Sequence, residues 1–273
     1  MSARSRVVRF GFGRIGFGVG RRRLVVSYGR GRAQTAELFR PAGPGPHPVV
    51  VVLHGGFWQA AFGRGLMTAT CVRLAECGYA AWNLEYRRMG LGGGWPATFE
   101  DVAAGIDALA DVAGVDLDLG RVTTLGHSAG GQLALWAAAR PGLPAGAPGA
   151  SPRVVAAGAV SLAGVLDLVG AAEHGVGGGA VTQLLGGGPD AVAERYALAS
   201  PMARLPLRVP QLLVHGERDR HVPVDISRRY ADAARAAGDD LELVTPPAVA
   251  HMELIDPDSP TWTVVVDWLN RRR

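Results

Sequence analysis

The stretch at 126–131 reads GHSAGG, which places a serine between two glycines in the pattern G-x-S-x-G. An apolar run, VTTLG at 122–126, precedes it, and an Ala/Leu-rich run that predicts a helix follows at 129–139. In this context the glycines allow a sharp strand-to-helix turn, which holds the side chain of Ser128 exposed at the helix N-terminus. Such a hydroxyl can attack a carbonyl carbon once a base takes its proton.

An activated serine needs a histidine base and an acid that orients it, which follow the serine in the chain order acid, then histidine. Two later stretches provide these residue types. Asp219 follows the predicted strand at 210–216, and His251 follows the predicted strand at 241–245. Because the carboxyl ends of parallel strands meet at one edge of a sheet, we predict that Ser128, Asp219 and His251 form a catalytic triad.

Other ionisable side chains near these positions are alternatives. Glu217 lies two residues before Asp219 and could replace it as the acid. His221 lies near Asp219 in the loop after the predicted strand at 210–216, the acid loop. It does not lie in the loop after the last strand, which favours His251 as the base. Four further residues are expected to have structural, loop-supporting or substrate-contacting roles: His127, His215, His174 and Asp256.

Acyl transfer also builds a negative oxygen that must meet preorganised N–H donors. The apolar run at 49–54 ends in HGGFW at 54–58, where side-chain-free residues let backbone amides face a reacting carbonyl. We predict an oxyanion hole made by the amide of the residue after the serine and by amides of this loop. The candidates are Ala129, Gly55, Gly56 and Phe57, with His54 bracing the turn.

These residues need a scaffold, and the sequence from residue 24 alternates between strand and helix patterns. A short hairpin at 24–28 and 35–41 precedes VVVVLH, a run that is apolar on both faces, as in a central covered strand. The alternation predicts an α/β fold with a mostly parallel sheet and helices on both faces. The later predicted strands are 79–86, 122–126, 153–162, 210–216 and 241–245, and the predicted helices are 64–77, 98–112, 129–139, 224–237 and 260–271.

Two segments depart from this alternation. Residues 164–209 separate two predicted strands by more than an ordinary loop, so we expect a small cap insertion over the pocket. Residues 1–23 carry seven arginines and no acidic residue and are expected to be a poorly ordered extension of the 24–273 domain. The extension contains Gly11-x-Gly13-x-x-Gly16, the spacing of a dinucleotide-binding loop, but no clear strand and helix flank it. We therefore expect no cofactor.

Composition limits the partners and the compartment. The 273 residues carry a formal charge of +4, yet residues 24–273 hold 21 arginines against 24 acidic side chains, which argues against nucleic acid as a partner. The basic N-terminus is followed by no long apolar stretch, so neither a secretory signal nor a membrane partner is expected. Cys71 and Cys77 have no metal-ligand spacing and are typical of a reducing cytoplasm. A homodimer is left open.

HGGFW, EYRR, GHSAGGQLALW, HGERDRHVP and AHMELIDP occur in the order found in α/β-hydrolase serine esterases, and the chain resembles them over about residues 24–270. It looks closest to the branch with kynurenine formamidases and feruloyl-esterase-like enzymes. The resemblance implies the triad and oxyanion residues named above, and hydrolysis of a small ester or activated amide without metal or organic cofactor. It also matches Trp58 to an aromatic residue near the substrate, and core packing under the loop is the alternative for this side chain. The alternatives are a non-catalytic hydrolase-fold binding protein and, least favoured, a dinucleotide-dependent enzyme.

Overall fold

The computed structural model describes residues 23–273, and its strands form one eight-stranded sheet in the order β1-β2-β4-β3-β5-β6-β7-β8. β1 and β2 pair antiparallel, β2 runs antiparallel to β4, and all other neighbours are parallel. The strand bounds are β1 Arg23–Ser27, β2 Thr35–Phe39, β3 His47–Leu53, β4 Ala80–Leu84, β5 Leu117–His127, β6 Gly158–Leu162, β7 Gln211–Val214 and β8 Leu241–Val244. The predicted α/β fold with a mostly parallel sheet is confirmed.

The helices cover both faces of the sheet. Their bounds are α1 Thr68–Glu76, α2 Ala97–Asp107, α3 Ala129–Ala139, α4 Leu168–Glu173, α5 Ala180–Leu185, α6 Ala193–Ala199, α7 Val224–Ala236 and α8 Thr261–Asn270. Successive residues of β3 point to opposite faces, so Val49 and Val51 join a core with α2, α3 and α7, whereas Val50 and Val52 join a core with α1 and α8. Burial on both faces explains why this strand is a continuous apolar run.

Several strand boundaries differ from the sequence-based expectation, and β5, expected at 122–126, already begins at Leu117. Arg23, which the prediction placed in the N-terminal extension, opens β1 and pairs with Glu37 on β2. The strand expected at 153–162 begins only at Gly158, because the amides of Arg153 and Val154 bond to the carboxylate of Asp107 at the end of α2. The glycine fingerprint at 11–16 lies outside the described residues.

The segment between β6 and β7 folds into α4, α5, α6 and a 3-10 turn at Pro201–Arg204. Leu184, Leu185 and Tyr196 bury its inner surface in the same core as α3. The amide of Trp95 also donates to the carbonyl of Leu184 at 2.7 Å, which ties the segment to the loop after β4. None of the helices within residues 23–273 is long and apolar enough to cross a bilayer.

Candidate active site

Ser128 occupies the sharp turn between β5 and α3. Its backbone has φ 56° and ψ −120°, a conformation that a residue with a side chain rarely adopts, and its amide donates to the carbonyl of Leu162 at 2.8 Å. The flanking glycines are required by contact: a Cβ on Gly126 would lie 1.9 Å from the carbonyl oxygen of Gly130, and a Cβ on Gly130 would lie 2.1 Å from that of Leu53. The turn is therefore a strained elbow that only small flanking residues permit.

Asp219 and His251 meet beyond the ends of β7 and β8. Nδ1 of His251 lies 2.6 Å from Oδ2 of Asp219, and both side chains are nearly or fully buried. The other oxygen, Oδ1, accepts the amides of His221 at 2.8 Å and Val222 at 2.9 Å. The structure thus brings together the predicted acid and the predicted base in a fixed geometry.

Hydrogen bonds keep the carboxylate of Asp219 charged. Burial by itself would raise the pKa of Asp219, but hydrogen bonds from His215 and His251, aided by the amide of Val222, outweigh it and hold the pKa well below its usual range. An ionised Asp219 accepts the Nδ1–H of His251. That tautomer leaves Nε2 of His251 as the unprotonated, basic nitrogen.

His127 links the serine elbow to the histidine loop. Burial, with a smaller contribution from the charge of His251, lowers the pKa of His127 to about 3, so this imidazole is neutral. Its Nε2 lies 3.0 Å from the carbonyl oxygen of His251, to which it donates, and the two ring centroids are 4.4 Å apart. Because Ser128 directly follows His127, this contact ties the serine elbow to the loop that carries His251.

The loop after β3 lies against the elbow. A Cβ on Gly55 would lie 2.8 Å from the carbonyl oxygen of His127 and 3.1 Å from Cβ of Ser128. Phe57 has φ 50°, and within residues 23–273 no acceptor pairs with the backbone amides of Gly56, Phe57 or Ala129. Unpaired amides beside the serine elbow fit the requirement of an oxyanion hole for free N–H donors.

Buried hydrogen bonds and a ring stack around His54 hold the loop after β3. Nε2 of His54 lies 2.9 Å from Oε1 of Glu85, and the His54 ring stacks on Tyr86, whose hydroxyl donates to the carbonyl of His54 at 2.7 Å. Burial alone would raise the pKa of Glu85, but the hydrogen bond from His54 and the amide of Arg64 lower it. Glu85 and Tyr86 stand in the EYRR motif directly after β4 but were not predicted to support the site.

Trp58 packs beneath the loop after β3. The indole is fully buried, and its Nε1 donates to Oε1 of Gln132 at 3.2 Å. The amide of Gln132 in turn donates to the carbonyl of Ala199 at 2.8 Å. Trp58 therefore braces the loop after β3 against α3 and the α4–α6 segment.

The alternative residues have other contacts. Glu217 is exposed and pairs with Arg228 at 2.9 Å, so it does not face His251. His215 is buried between the hydroxyl of Ser227 at 2.7 Å and the carbonyl of Val222 at 2.9 Å, with Asp219 at 3.3 Å from its Nε2. His215 thus supports the acid loop, as expected for a structural histidine.

Three candidates lie at the periphery. His174 is exposed and its Nδ1 bonds to the carbonyl of Gly170 within α4 at 2.7 Å. Asp256 accepts the amide of Asp258 at 3.0 Å and so closes its own turn. His221 is exposed and stacks on His251 with centroids 4.9 Å apart. One donor atom from each of Asp219, His221 and His251 lies within 4.8 Å of the others, a spacing that could hold a metal ion.

The chain matches a known protein family over most of its length. The profile of the BD-FAE family matches residues 37–233, which is most of the chain and includes the elbow and the acid loop. The chain belongs to the BD-FAE family. No curated protein sequence matches this BD-FAE chain.

Solved structures share the fold of this BD-FAE protein at low identity. A truncated carbohydrate esterase from gut microbiota is 19% identical, with a TM-score of 0.77 over 90% of this chain and 94% of that one. A propionate-bound esterase from Thermogutta terrifontis is 23% identical, with a TM-score of 0.69 over 92% and 93%. A bifunctional GH43-CE protein of Bacteroides eggerthii is 23% identical with a TM-score of 0.78, and this chain covers only 38% of it. These likenesses identify the α/β-hydrolase fold.

Proposed function

We propose that this BD-FAE protein is a serine hydrolase that cleaves a small ester or activated amide through an acyl-enzyme. The 2.6 Å contact between His251 and Asp219, in a chain that also holds Ser128 in a strained elbow, carries the proposal. A hydrolase-fold binding protein would have no reason to keep an ionised, buried carboxylate aimed at a histidine. The dinucleotide alternative depends on residues 11–16 and finds no support in the described part of the chain.

In the proposed mechanism each of these residues has one role. Nε2 of His251 takes the proton of Ser128 while the serine oxygen attacks the acyl carbon, and Asp219 stabilises the imidazolium that forms. The negative oxygen of the tetrahedral intermediate is bound by the amide of Ala129 and by amides of Gly55, Gly56 or Phe57. The imidazolium then protonates the leaving alcohol or amine.

Deacylation repeats these steps with water. His251 takes a proton from a water molecule, which attacks the acyl carbon of the Ser128 ester, and the serine leaves with the proton returned by His251. No step requires a group other than the side chains and amides of the chain itself. The same oxyanion amides serve both halves of the reaction.

The surroundings favour a short acyl group on a modest alcohol or amine. Phe62, which is exposed, lies over Gly56, and the exposed Met252 directly follows His251, so apolar surface borders the loops of the site. The Phe57 ring packs on Gly177, which lies just before α5, so we propose that the α4–α6 segment acts as a cap over the pocket. Two structural neighbours are described as a carbohydrate esterase and an acetyl ester-xyloside bifunctional hydrolase. We therefore propose acetylated sugars as candidate substrates in addition to arylformamides.

A hydrolysis assay tests the proposal. Wild type is expected to hydrolyse p-nitrophenyl acetate, and Ser128→Ala is expected to lose this activity. Ser161→Ala is the matched control, because Ser161 is a buried serine on β6 whose hydroxyl has no hydrogen-bond partner within the described structure. Equal turnover by wild type and Ser128→Ala would refute the proposal. A panel of short-chain esters, aryl formamides and acetylated sugars, ranked by kcat/KM, then separates carboxylesterase from arylformamidase.

A further inference from the structure

The acid loop contributes a histidine that hydrolysis does not use. His221 lies two residues after Asp219, is exposed, and stacks on His251 with an interplanar angle of 29°. Within residues 23–273, neither ring nitrogen of His221 has a hydrogen-bond partner, while its backbone amide is held by Asp219. Its imidazole is therefore an accessible nitrogen ligand on a fixed piece of backbone.

His251 is already oriented as metal-ligating histidines are. Such histidines usually donate one ring N–H to a carboxylate, which fixes the tautomer and makes the other nitrogen more basic. The 2.6 Å contact from Nδ1 of His251 to Asp219 is this arrangement, so Nε2 is the free ligand atom. Imidazole ligands suit zinc and similar transition ions and suit magnesium or calcium poorly.

We propose that His221 and His251, with Asp219 behind them, form a binding site for Zn²⁺ or a similar transition-metal ion that reversibly inhibits the hydrolase. Zn–N bonds of about 2.0–2.1 Å in a tetrahedron put two ligand nitrogens roughly 3.3 Å apart. One ring nitrogen of His221, one ring nitrogen of His251 and a carboxylate oxygen of Asp219 lie within 4.8 Å of one another. Rotation of the exposed His221 side chain closes the difference without movement of the buried pair.

Inhibition follows from the identity of the ligand atom and rests on the proposed function. A metal on Nε2 of His251 uses the lone pair that would otherwise take the proton of Ser128. Asp219 keeps its hydrogen bond to Nδ1, so the fold of the acid loop is undisturbed. Chelation with EDTA frees the nitrogen and restores the base.

Metal binding can be measured without turnover. Ser128→Ala protein is titrated with Co²⁺, whose visible absorption reports tetrahedral coordination, and Zn²⁺ is added in competition. We expect saturable binding with one ion per chain, and clear weakening when His221→Gln is added, because that change removes one of the two imidazole ligands. Absence of saturable binding to Ser128→Ala, or equal binding with and without His221, would overturn the site. This outcome is independent of whether the protein proves to be an esterase.

Inhibition is tested with p-nitrophenyl acetate, each variant being normalised to its own zinc-free rate. Zinc is expected to inhibit wild type, EDTA to reverse the inhibition, and Mg²⁺ to have no effect. His221→Gln is expected to need more zinc than wild type for the same fractional inhibition. His47→Gln, at the opposite end of β3, is the control and should match wild type. If His221→Gln is as sensitive as wild type, the regulatory site does not exist.

Discussion

Replacement of Asp219 by asparagine tests how the base is prepared. In the structure one carboxylate oxygen accepts two backbone amides, from His221 and Val222, and the other accepts Nδ1–H of His251. The asparagine oxygen must stay on the two amides, so its NH₂ group faces His251. Because two N–H groups cannot bond to each other, His251 switches to the tautomer with its proton on Nε2 and cannot accept the proton of Ser128.

The expected loss is large and specific to the chemical step. The same change in Ser-His-Asp triads lowers kcat by about 10⁴, which corresponds to about 5.5 kcal/mol of transition-state stabilisation. The loss of one charge-assisted hydrogen bond is expected to cost about 1.5–3 kcal/mol of folding stability. Steady-state kinetics with p-nitrophenyl acetate and urea unfolding measure the two effects separately.

Asp225→Asn is the matched control, because this aspartate is exposed and pairs with Arg228 at the protein surface. It should retain wild-type kinetics, and its stability should change by about 1 kcal/mol or less. A folded Asp219→Asn protein that keeps more than about one tenth of wild-type kcat would refute the reasoning, because the predicted tautomer switch removes the base altogether.

Three further substitutions test the surroundings of the pair. Gly55→Ala would place Cβ 2.8 Å from the His127 carbonyl and should lower kcat for p-nitrophenyl acetate by about 10²–10³, whereas Gly65→Ala, with nothing within 4 Å, should not. Glu85→Gln replaces the carboxylate that bonds to Nε2 of His54 and should lower the free energy of unfolding in urea by about 1–3 kcal/mol. His127→Gln should flatten the acid dependence of stability, measured by urea unfolding at pH 7 and pH 5.

The sign of the His127 effect follows from its low pKa. A histidine whose pKa is about 3 in the fold and about 6.5 unfolded contributes stability that is complete above pH 6.5 and is lost as the pH falls towards 3. Between pH 7 and pH 5 wild type should therefore lose about 2 kcal/mol more than His127→Gln. Equal losses would contradict the account of His127. Equal kcat for Gly55→Ala and Gly65→Ala would contradict the proposed oxyanion role of the loop after β3. An unchanged free energy of unfolding in Glu85→Gln would contradict the claim that Glu85 stabilises this loop.

The scaffold and the acid–base pair could be predicted because both depend on local patterns. VVVVL identifies a strand covered on both faces, and parallel strands carry their carboxyl ends to one edge, which brings Asp219 and His251 together. Local apolar pattern was insufficient at 153–157, because a tertiary contact to Asp107 removes these residues from β6.

The supporting contacts of the site could not be predicted, because they join residues far apart in the chain. Glu85 meets His54 across 31 positions, and His127 meets the carbonyl of His251 across 124. Neither contact leaves a periodic or compositional signal. Trp58 shows a related difficulty: an indole next to an oxyanion loop can face a pocket or a core, and only its bond to Gln132 reveals the core.

The central claim is that Ser128 is a nucleophile activated by His251, and covalent labelling tests it most directly. A fluorophosphonate reacts with an activated serine and adds a defined mass, which intact-protein and peptide mass spectrometry locate. We predict one adduct per chain on Ser128 in wild type, none in Ser128→Ala, and greatly slowed labelling in His251→Ala. An unlabelled wild-type protein, or an adduct on any other residue, would contradict the account.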